Sequence, residues 1–359
     1  VTVRTVGVEE EFLLADVEHA RIVSAAPRVL GEGHDGLEAE LTRQQVETGT
    51  EPVGSLDELR SELARMRRMA AEAAAAEGAT LLALGTAPVE VTPQTTTKER
   101  YLRMVEEFGE IGREQLTCGC HIHVGVESRD EAVGVLDRLR TWLPCLMAIA
   151  GNSPYWHGQD TGYSSYRAQV WDRWPSAGAT AAFGSAAAYD ELVDGLIQTG
   201  VVLDRGMIYF DARPSEKYST LEIRVPDVCL SVDDAVLVAA LARGLVTIAA
   251  AAWERGEPVQ EARPELLRVA RWRASRSGLD GVLVDLDTGC PVPARALLGR
   301  LVEHVCPALE DAGDVEVVRE GLDQVLRRGT GARRQRETCE RVGAGGLLAY
   351  AAEETLGGC

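Results

Sequence analysis

The chain has 359 residues, 45% of them hydrophobic, enough to bury a large core as one big domain or two closely fused ones. Its 56 acidic against 37 basic residues leave a formal net charge of −19, so a nucleic-acid backbone or an anionic lipid surface is a poor partner. No run of 18 or more apolar residues occurs, the first residues do not read as a signal peptide, and the eight scattered cysteines hold no CxxC pair, so the expected setting is a reducing cytoplasm with free thiols.

Residues 2–14 read as a strand, and 38–50 as an extended, Thr- and Gln-rich segment carrying Glu40 and Glu47. Ser55-Leu-Asp-Glu58 is a capping box. It opens a helix whose apolar stripe is Leu56, Leu59, Leu63, Met66 and Ala73 and which stops at Gly78. A short strand (80–84) follows, then a helix near 98–115, a strand through His121 and His123, and a helix near 129–149 that ends at Asn152-Ser-Pro154. Residues 151–178 read as a long loop that holds Tyr155, Trp156, Tyr163, Tyr166, Trp171 and Trp174; a loop of that length inside a compact fold is usually functional. A helix is expected over 185–199, a hairpin over 206–225, and helices alone from 231, packed on one sheet face or forming an oligomer contact such as a homodimer's. The pattern is α+β, one domain over 1–359 with a mainly helical portion from about 231.

The chemistry lies in pairs of residues two apart on strands. Glu9 and Glu11, His121 and His123, and Glu222 and Arg224 each point to one face, because strand side chains alternate. The opposite faces read Cys118, Cys120, Ile122, Val124 and Val126 in one segment, and Leu221, Ile223 and Val225 in another. A sheet face that collects carboxylates, imidazole and guanidinium needs a cation and an anionic ligand to neutralise it. Carboxylates dominate, which favours hard magnesium, with manganese as the alternative, in two or three sites beside a nucleoside triphosphate. Arg213 and Arg224 would then stabilise charge on a transferring phosphoryl group.

Other motifs fall away. Gly31-Glu-Gly33-His-Asp-Gly36 matches a dinucleotide fingerprint by letter but opens no clear helix. No GxxxxGK[ST] loop exists. Cys118 and Cys120 face away from His121 and His123, so the four cannot share a tetrahedral zinc.

Val6-Gly-Val-Glu-Glu-Glu-Phe12, Gly119-Cys-His-Ile-His-Val-Gly125, Asn152-Ser-Pro154, Ser164-Ser-Tyr-Arg167 and Thr220-Leu-Glu-Ile-Arg-Val-Pro-Asp227 together resemble the glutamate–cysteine ligase type 2, or carboxylate–amine ligase, family, in order from the first strand to about residue 260. The resemblance implies a glutamine-synthetase-like catalytic fold, a curved antiparallel sheet flanked by helices. It implies ATP-dependent joining of a carboxylate and an amine through an acyl phosphate, with glutamate and cysteine as the expected amino-acid substrates. It implies that Glu9 and Glu11 ligate different Mg²⁺ ions, that Glu40 and Glu47 complete the first near the amine, and that His121 and Glu222 hold the second beside the ATP phosphates. By the same resemblance Arg224 faces the γ-phosphate, Arg167 clamps the substrate carboxylate, and Arg213 and Lys217 contact phosphates. His123, where related ligases can carry Asn, is placed with Glu47 among the substrate contacts, and the aromatic loop would close over the intermediate. A metal-dependent hydrolase or phosphatase would use the same acids without nucleotide, but Arg167, Arg213 and the breadth of the resemblance count against it. An inactive binding homologue is opposed by the intact Glu9, Glu11, His121, Glu222 and Arg224.

Overall fold

Residues 3–31 and 36–357 are described in a computed structural model; the fingerprint-like segment lies largely outside them. An eight-stranded antiparallel sheet organises the chain. Its strands are β1 (Val6–Asp16), β2 (Arg21–Ile22), β3 (Leu37–Ala39), β4 (Gln45–Gly49), β5 (Thr80–Leu82), β6 (Cys120–Gly125), β7 (Ala212–Pro214) and β8 (Thr220–Ile223). They lie in the order β3-β4-β1-β6-β8-β7, with β2 and β5 paired to β1. Thus β1 is the spine, hydrogen-bonded to β4 on one side and β6 on the other.

Alternation gives the sheet one apolar face. Val6, Val8, Cys120, Ile122, Val124, Leu221 and Ile223 are buried in one cluster with side chains from helices Leu56–Ala76, Arg129–Leu139 and Val232–Glu254. Each branched side chain buried this way contributes about 1.5–3 kcal/mol. The first helix starts as its capping box dictates: Ser55 Oγ accepts from Glu58 N (3.2 Å) while the Glu58 carboxylate accepts from Ser55 N (3.3 Å). Its stripe runs through Leu56, Leu59, Leu63, Met66, Arg67, Ala70 and Ala74; Ala73 is only half-buried.

Arg67 has no exposure at all. It meets Glu10, the one acid of the Glu9–Glu11 run on the apolar face, through a fork: Nε to Oε2 at 2.9 Å and Nη2 to Oε1 at 2.5 Å. The remaining donors reach the carbonyl oxygens of Cys229, Leu230 and Thr355. A buried ion pair survives only when its other lone pairs and protons are satisfied, and here three carbonyls do that.

Helix Val232–Glu254 is long and apolar enough by composition to cross a membrane, yet most of it is buried among the other helices and under the sheet. Its Arg243 pairs with Asp314 and donates to Gly54 O (2.8 Å). Total burial, rather than lipid, explains a helix apolar on every side.

Local sequence shifts several expected boundaries. The helix near 98–115 breaks at Gly109 (φ 56°) into Glu99–Phe108 and Glu110–Arg113. The helix near 129–149 is two, Arg129–Leu139 and Leu143–Ile149, the second with a proline in its first turn. Within 151–178 lie a short helix, Arg167–Trp171, and a two-residue hairpin. The C-terminal part is not helix alone: a hairpin joins Val282–Asp285 to Cys290–Pro293. Its last helix, Gly331–Leu356, is kinked at Gly343 (φ 72°).

Arg67→Met would strand Glu10 in the core and strip three carbonyls, a loss of about 3–5 kcal/mol. Urea unfolding should show that loss, with a smaller one for Glu10→Gln, which can still accept hydrogen bonds. An Arg67→Met midpoint equal to wild type would show the pair to be dispensable.

Candidate active site

On the other sheet face the register stacks ionisable groups side by side. Glu11 lies opposite Glu47, Glu9 opposite His121, and His123 between Gly7 and Glu222, with Arg213 across from Glu222. Glu40 follows the edge strand β3. These side chains line a cavity of about 370 Å³, together with Arg224 and Lys217. Of the residues expected to hold metal, nucleotide or substrate, only Arg167 is missing from its wall.

Three sets of ligand-type atoms converge, each with its members within 4.8 Å of one another: Glu11, Glu40 and Glu47; Glu9, Glu47 and His121; and Glu9, His123 and Glu222. Shared members Glu47 and Glu9 join the sets into a row. His123 lies directly opposite Glu222 in the register and shares a ligand set with it, whereas His121, expected beside Glu222, falls in the set with Glu9 and Glu47. His123 Nδ1 lies 2.9 Å from Thr220 Oγ1 and its Nε2 3.3 Å from Glu9. His121 Nδ1 is 3.4 Å from Glu9, its Nε2 3.8 Å from Glu11.

The electrostatics of the row call for cations. Burial, then the neighbouring carboxylates of Glu40, Glu9 and Glu11, push Glu47 well above the usual carboxylate range. Burial raises Glu11 as well, even though His121 and Arg167 oppose it. Burial works against ionisation of Glu9, but His121 and His123 outweigh it and hold Glu9 far below the usual range. His121 is itself pushed down, by burial and then by Arg224, against the opposing pull of Glu9, Glu11 and Glu222. The Nε2 atoms of both histidines are buried without a hydrogen-bond partner. Clustered carboxylate oxygens with a free imidazole nitrogen suit Mg²⁺ or Mn²⁺.

At the far end the charge reverses. Arg213 Nε donates to Glu222 Oε2 (2.7 Å), and Arg224 pairs with the same carboxylate. Burial resists the ionisation of Glu222, but Arg224 and Arg213 hold it far below its ordinary value. Lys217 stands in the turn between β7 and β8 at the cavity mouth.

Arg167 takes a different position from the one expected. It is buried behind the wall, where its guanidinium donates to the carbonyls of Arg224 (3.3 Å) and Val225 (3.5 Å) and lies 3.9 Å from Asp227. A Cβ at Gly119 would overlap it. Gly119 N in turn donates to Glu11 Oε2 at 2.6 Å. Arg167 therefore supports the backbone that aims Glu11 and Arg224, and in this structure it is not a clamp on substrate.

Of the loop aromatics, only Trp171 and Trp174 line the cavity, 4.7 and 5.6 Å from the Tyr209 ring. Both the Arg167 and Arg224 guanidinium carbons lie 5.6 Å from the Trp171 centroid. This end of the loop is a fixed wall. The sequence reading passed over Arg100, whose Nε and Nη2 fork Asp204 (2.7 and 2.9 Å), and Tyr101, Gln115, Thr117, Arg205 and Tyr209 around it. No motif links Arg100 to Asp204, which lie 104 positions apart.

The profile of glutamate–cysteine ligase family 2 matches residues 5–355. The chain belongs to glutamate–cysteine ligase family 2. Proteins provisionally named glutamate–cysteine ligase 2-2 of Frankia alni and 2-1 of Streptomyces avermitilis are 56% and 47% identical to it. The alignments cover 95% of this chain in both cases, and 94% and 96% of those proteins. A solved glutamate–cysteine ligase of Francisella tularensis in complex with AMP superposes with a TM-score of 0.72 at 12% identity, over 99% of this chain and 89% of that one. A bifunctional glutathione synthetase of Pasteurella multocida gives 0.73 at 16% identity, over 99% of this chain but 52% of that one. The α+β fold expected from the sequence, a mainly antiparallel sheet flanked by helices, is the fold found, and it is shared with these two solved structures. As a family 2 member the protein is an ATP-dependent ligase.

In this ligase the acids should repel one another until a cation arrives. Adding Mg²⁺ to chelator-treated protein should raise the melting temperature. Glu47→Gln, which removes a buried like charge, should melt higher than wild type in chelator and gain less from Mg²⁺. Identical Mg²⁺ responses in the two proteins would exclude Glu47 from the cation sites.

Proposed function

We propose that the protein joins L-glutamate to an amine, most simply L-cysteine to give γ-glutamylcysteine, at the expense of ATP. The observation that carries this reading is the polarity of one cavity: carboxylates Glu11, Glu40 and Glu47 at one end, guanidinium groups of Arg213 and Arg224 at the other, and Glu9 between them. Such a gradient suits a nucleotide whose phosphates lie toward the arginines and an ammonium group held toward the acids.

The glutamate side-chain carboxylate attacks the γ-phosphorus, the bond to the bridging oxygen breaks, and ADP leaves, giving an acyl phosphate. The acceptor's ammonium first gives a proton to a carboxylate of the cavity; the free amine then attacks the activated carbonyl, its second proton passes to the departing phosphate, and an amide remains. Two or three Mg²⁺ ions held by the three ligand sets would neutralise charge on the phosphoryl oxygens. Arg224, fixed by Glu222, stabilises charge that grows in both transition states, while Arg213 and Lys217 bind phosphate oxygens. Glu40 and Glu47 hold the ammonium end of the acceptor. Arg100 takes the carboxylate-clamping role expected of Arg167: it lines the cavity and is fixed by Asp204. The indoles of Trp171 and Trp174 keep water from the acyl phosphate. The width of that aromatic wall, with Tyr101 and Tyr209 in it, supports a second reading in which the acceptor is a larger amine than cysteine. Consumption of ATP and free amino acids fits a cytoplasmic setting.

ADP release with Mg²⁺, ATP and a panel of amino acids, with mass spectrometry of the product, decides among these readings. ADP formed only when a carboxylate and an amine are both present supports the ligase, and the product mass identifies the acceptor. ADP formed without any amide would instead support the hydrolase.

Glu222→Gln should lower kcat by about 10²–10³-fold, and it should also melt lower than wild type in chelator, because the buried guanidinium groups of Arg213 and Arg224 lose their counter-charge. Arg100→Lys keeps charge but loses the fork, so it should raise KM for glutamate and leave KM for ATP alone, whereas Arg224→Lys should act on kcat. An Arg100→Lys enzyme altered only in its ATP constant would remove Arg100 from the carboxylate site.

A further inference from the structure

A second cleft, of about 230 Å³, shares no lining residue with the active-site cavity. Three segments meet there: the stretch holding Gly162 and Ser164, the end of helix Pro264–Ser277 with the turn to Gly281, and the start of helix Gly331–Leu356. They bring together three guanidinium groups, those of Arg276, Arg333 and Arg336, against a single lining carboxylate, Asp280. On a chain of net charge −19 the lining itself is rich in guanidinium, although Asp160 and Glu337 beside it engage Arg336 and Arg333.

The three arginines are not equally engaged. Arg336 forks Asp160 at 2.8 and 2.7 Å and donates to Tyr163 O at 2.8 Å. Arg333 spends Nε on Glu337 (2.8 Å) and lies 3.5 Å from Asp280. Arg276 donates to Gly162 O and lies 5.6 Å from the Tyr163 centroid, and among the described residues it has no carboxylate partner. One further group in the wall is short of a partner: Ser164 Oγ is buried without a hydrogen bond. The start of helix Gly331–Leu356 is already engaged, since Ala332 N donates to Gly151 O (2.9 Å). Guanidinium groups and a hydroxyl in one concavity are donors that recognise an oxyanion.

We propose that this cleft binds a phosphate group, free or carried by a small phosphorylated metabolite, separately from the catalytic cavity. Arg276 and Arg333 supply the main charge-assisted hydrogen bonds, and the volume leaves room for a small organic group beyond the phosphate. The site also adjoins the segment that leads to Arg167. Ser164 N and Ser165 N both donate to Ser275 O (2.8 and 2.9 Å), and Ser165 Oγ donates to Asp227 Oδ1 (2.7 Å). An occupant therefore bears on the support beneath Glu11.

Calorimetric titration of the whole protein with inorganic phosphate, and separately with glycerol 3-phosphate, tests the proposal. Arg276→Gln/Arg333→Gln changes two exposed residues outside the catalytic cavity. It should weaken binding at least about tenfold, the loss expected from one charge-assisted hydrogen bond or more, with Mg-ATP affinity unchanged. Binding of both probes would mark free phosphate as sufficient, and binding of glycerol 3-phosphate alone would mark a metabolite. Should the double variant melt well below wild type, Arg333→Gln alone is read in the same titration and should still weaken binding. No heat from either probe, or equal binding by wild type and variant, overturns the site.

Discussion

The constraint on which the rest of the structure depends is that two glutamates face each other across neighbouring strands. Glu11 on β1 and Glu47 on β4 are directly opposed, an arrangement that weakens a sheet when nothing lies between the charges. Burial sharpens the conflict, since both are pushed toward the protonated form. The fold answers with Glu40 as a third ligand, two imidazoles further along the row, and guanidinium groups at its far end. A sheet face that would be a liability in a binding module becomes a graded electrostatic channel in a ligase, its negative end suited to metal and ammonium and its positive end to phosphate.

That face is held by what lies behind it. Gly119 carries no side chain because the Arg167 guanidinium occupies the space a Cβ would need. The same guanidinium holds the backbone carbonyls of Arg224 and Val225, while Asp227 gathers Asn152 N, Ser153 Oγ and Ser165 Oγ around it. Polar groups this deeply buried are costly unless fully hydrogen-bonded, so the network has little freedom to shift. The positions of Glu11 and Arg224 are set by buried residues that do not line the cavity.

Much of this was legible in the sequence wherever function and strand parity coincide. Glu9, Glu11, His121, His123 and Glu222 are recognisable because a charged residue at every second strand position has no cheap structural explanation. The capping box at Ser55 was legible for the same local reason. Arg167 was misread because its motif says that the residue matters and not which way it points; orientation depends on Gly119, far away in sequence. That His123 rather than His121 lies opposite Glu222 is a matter of register, which only strand pairing settles. Arg100 and Asp204 carried no signal, since their contact exists only after the helix bearing Arg100 has packed. Arg67 did leave a trace, a lone arginine on an otherwise apolar helical stripe.

The shell around Arg67 also carries a consequence for how the chain is assembled. Its carbonyl acceptors come from residues 229, 230 and 355, while Glu10 comes from the first strand. Until the helix Gly331–Leu356 has docked, the charged pair beneath the sheet lacks one of its acceptors, and β5 lacks the Thr355 hydroxyl that accepts from Ala83 N. An early collapse of β1 against helix Leu56–Ala76 would therefore enclose an incompletely solvated ion pair. The two ends of the chain are thermodynamically linked through one guanidinium, so the N-terminal half gains its full stability only with the C-terminal helix in place, and removing that helix should loosen the sheet's spine as well as its edge.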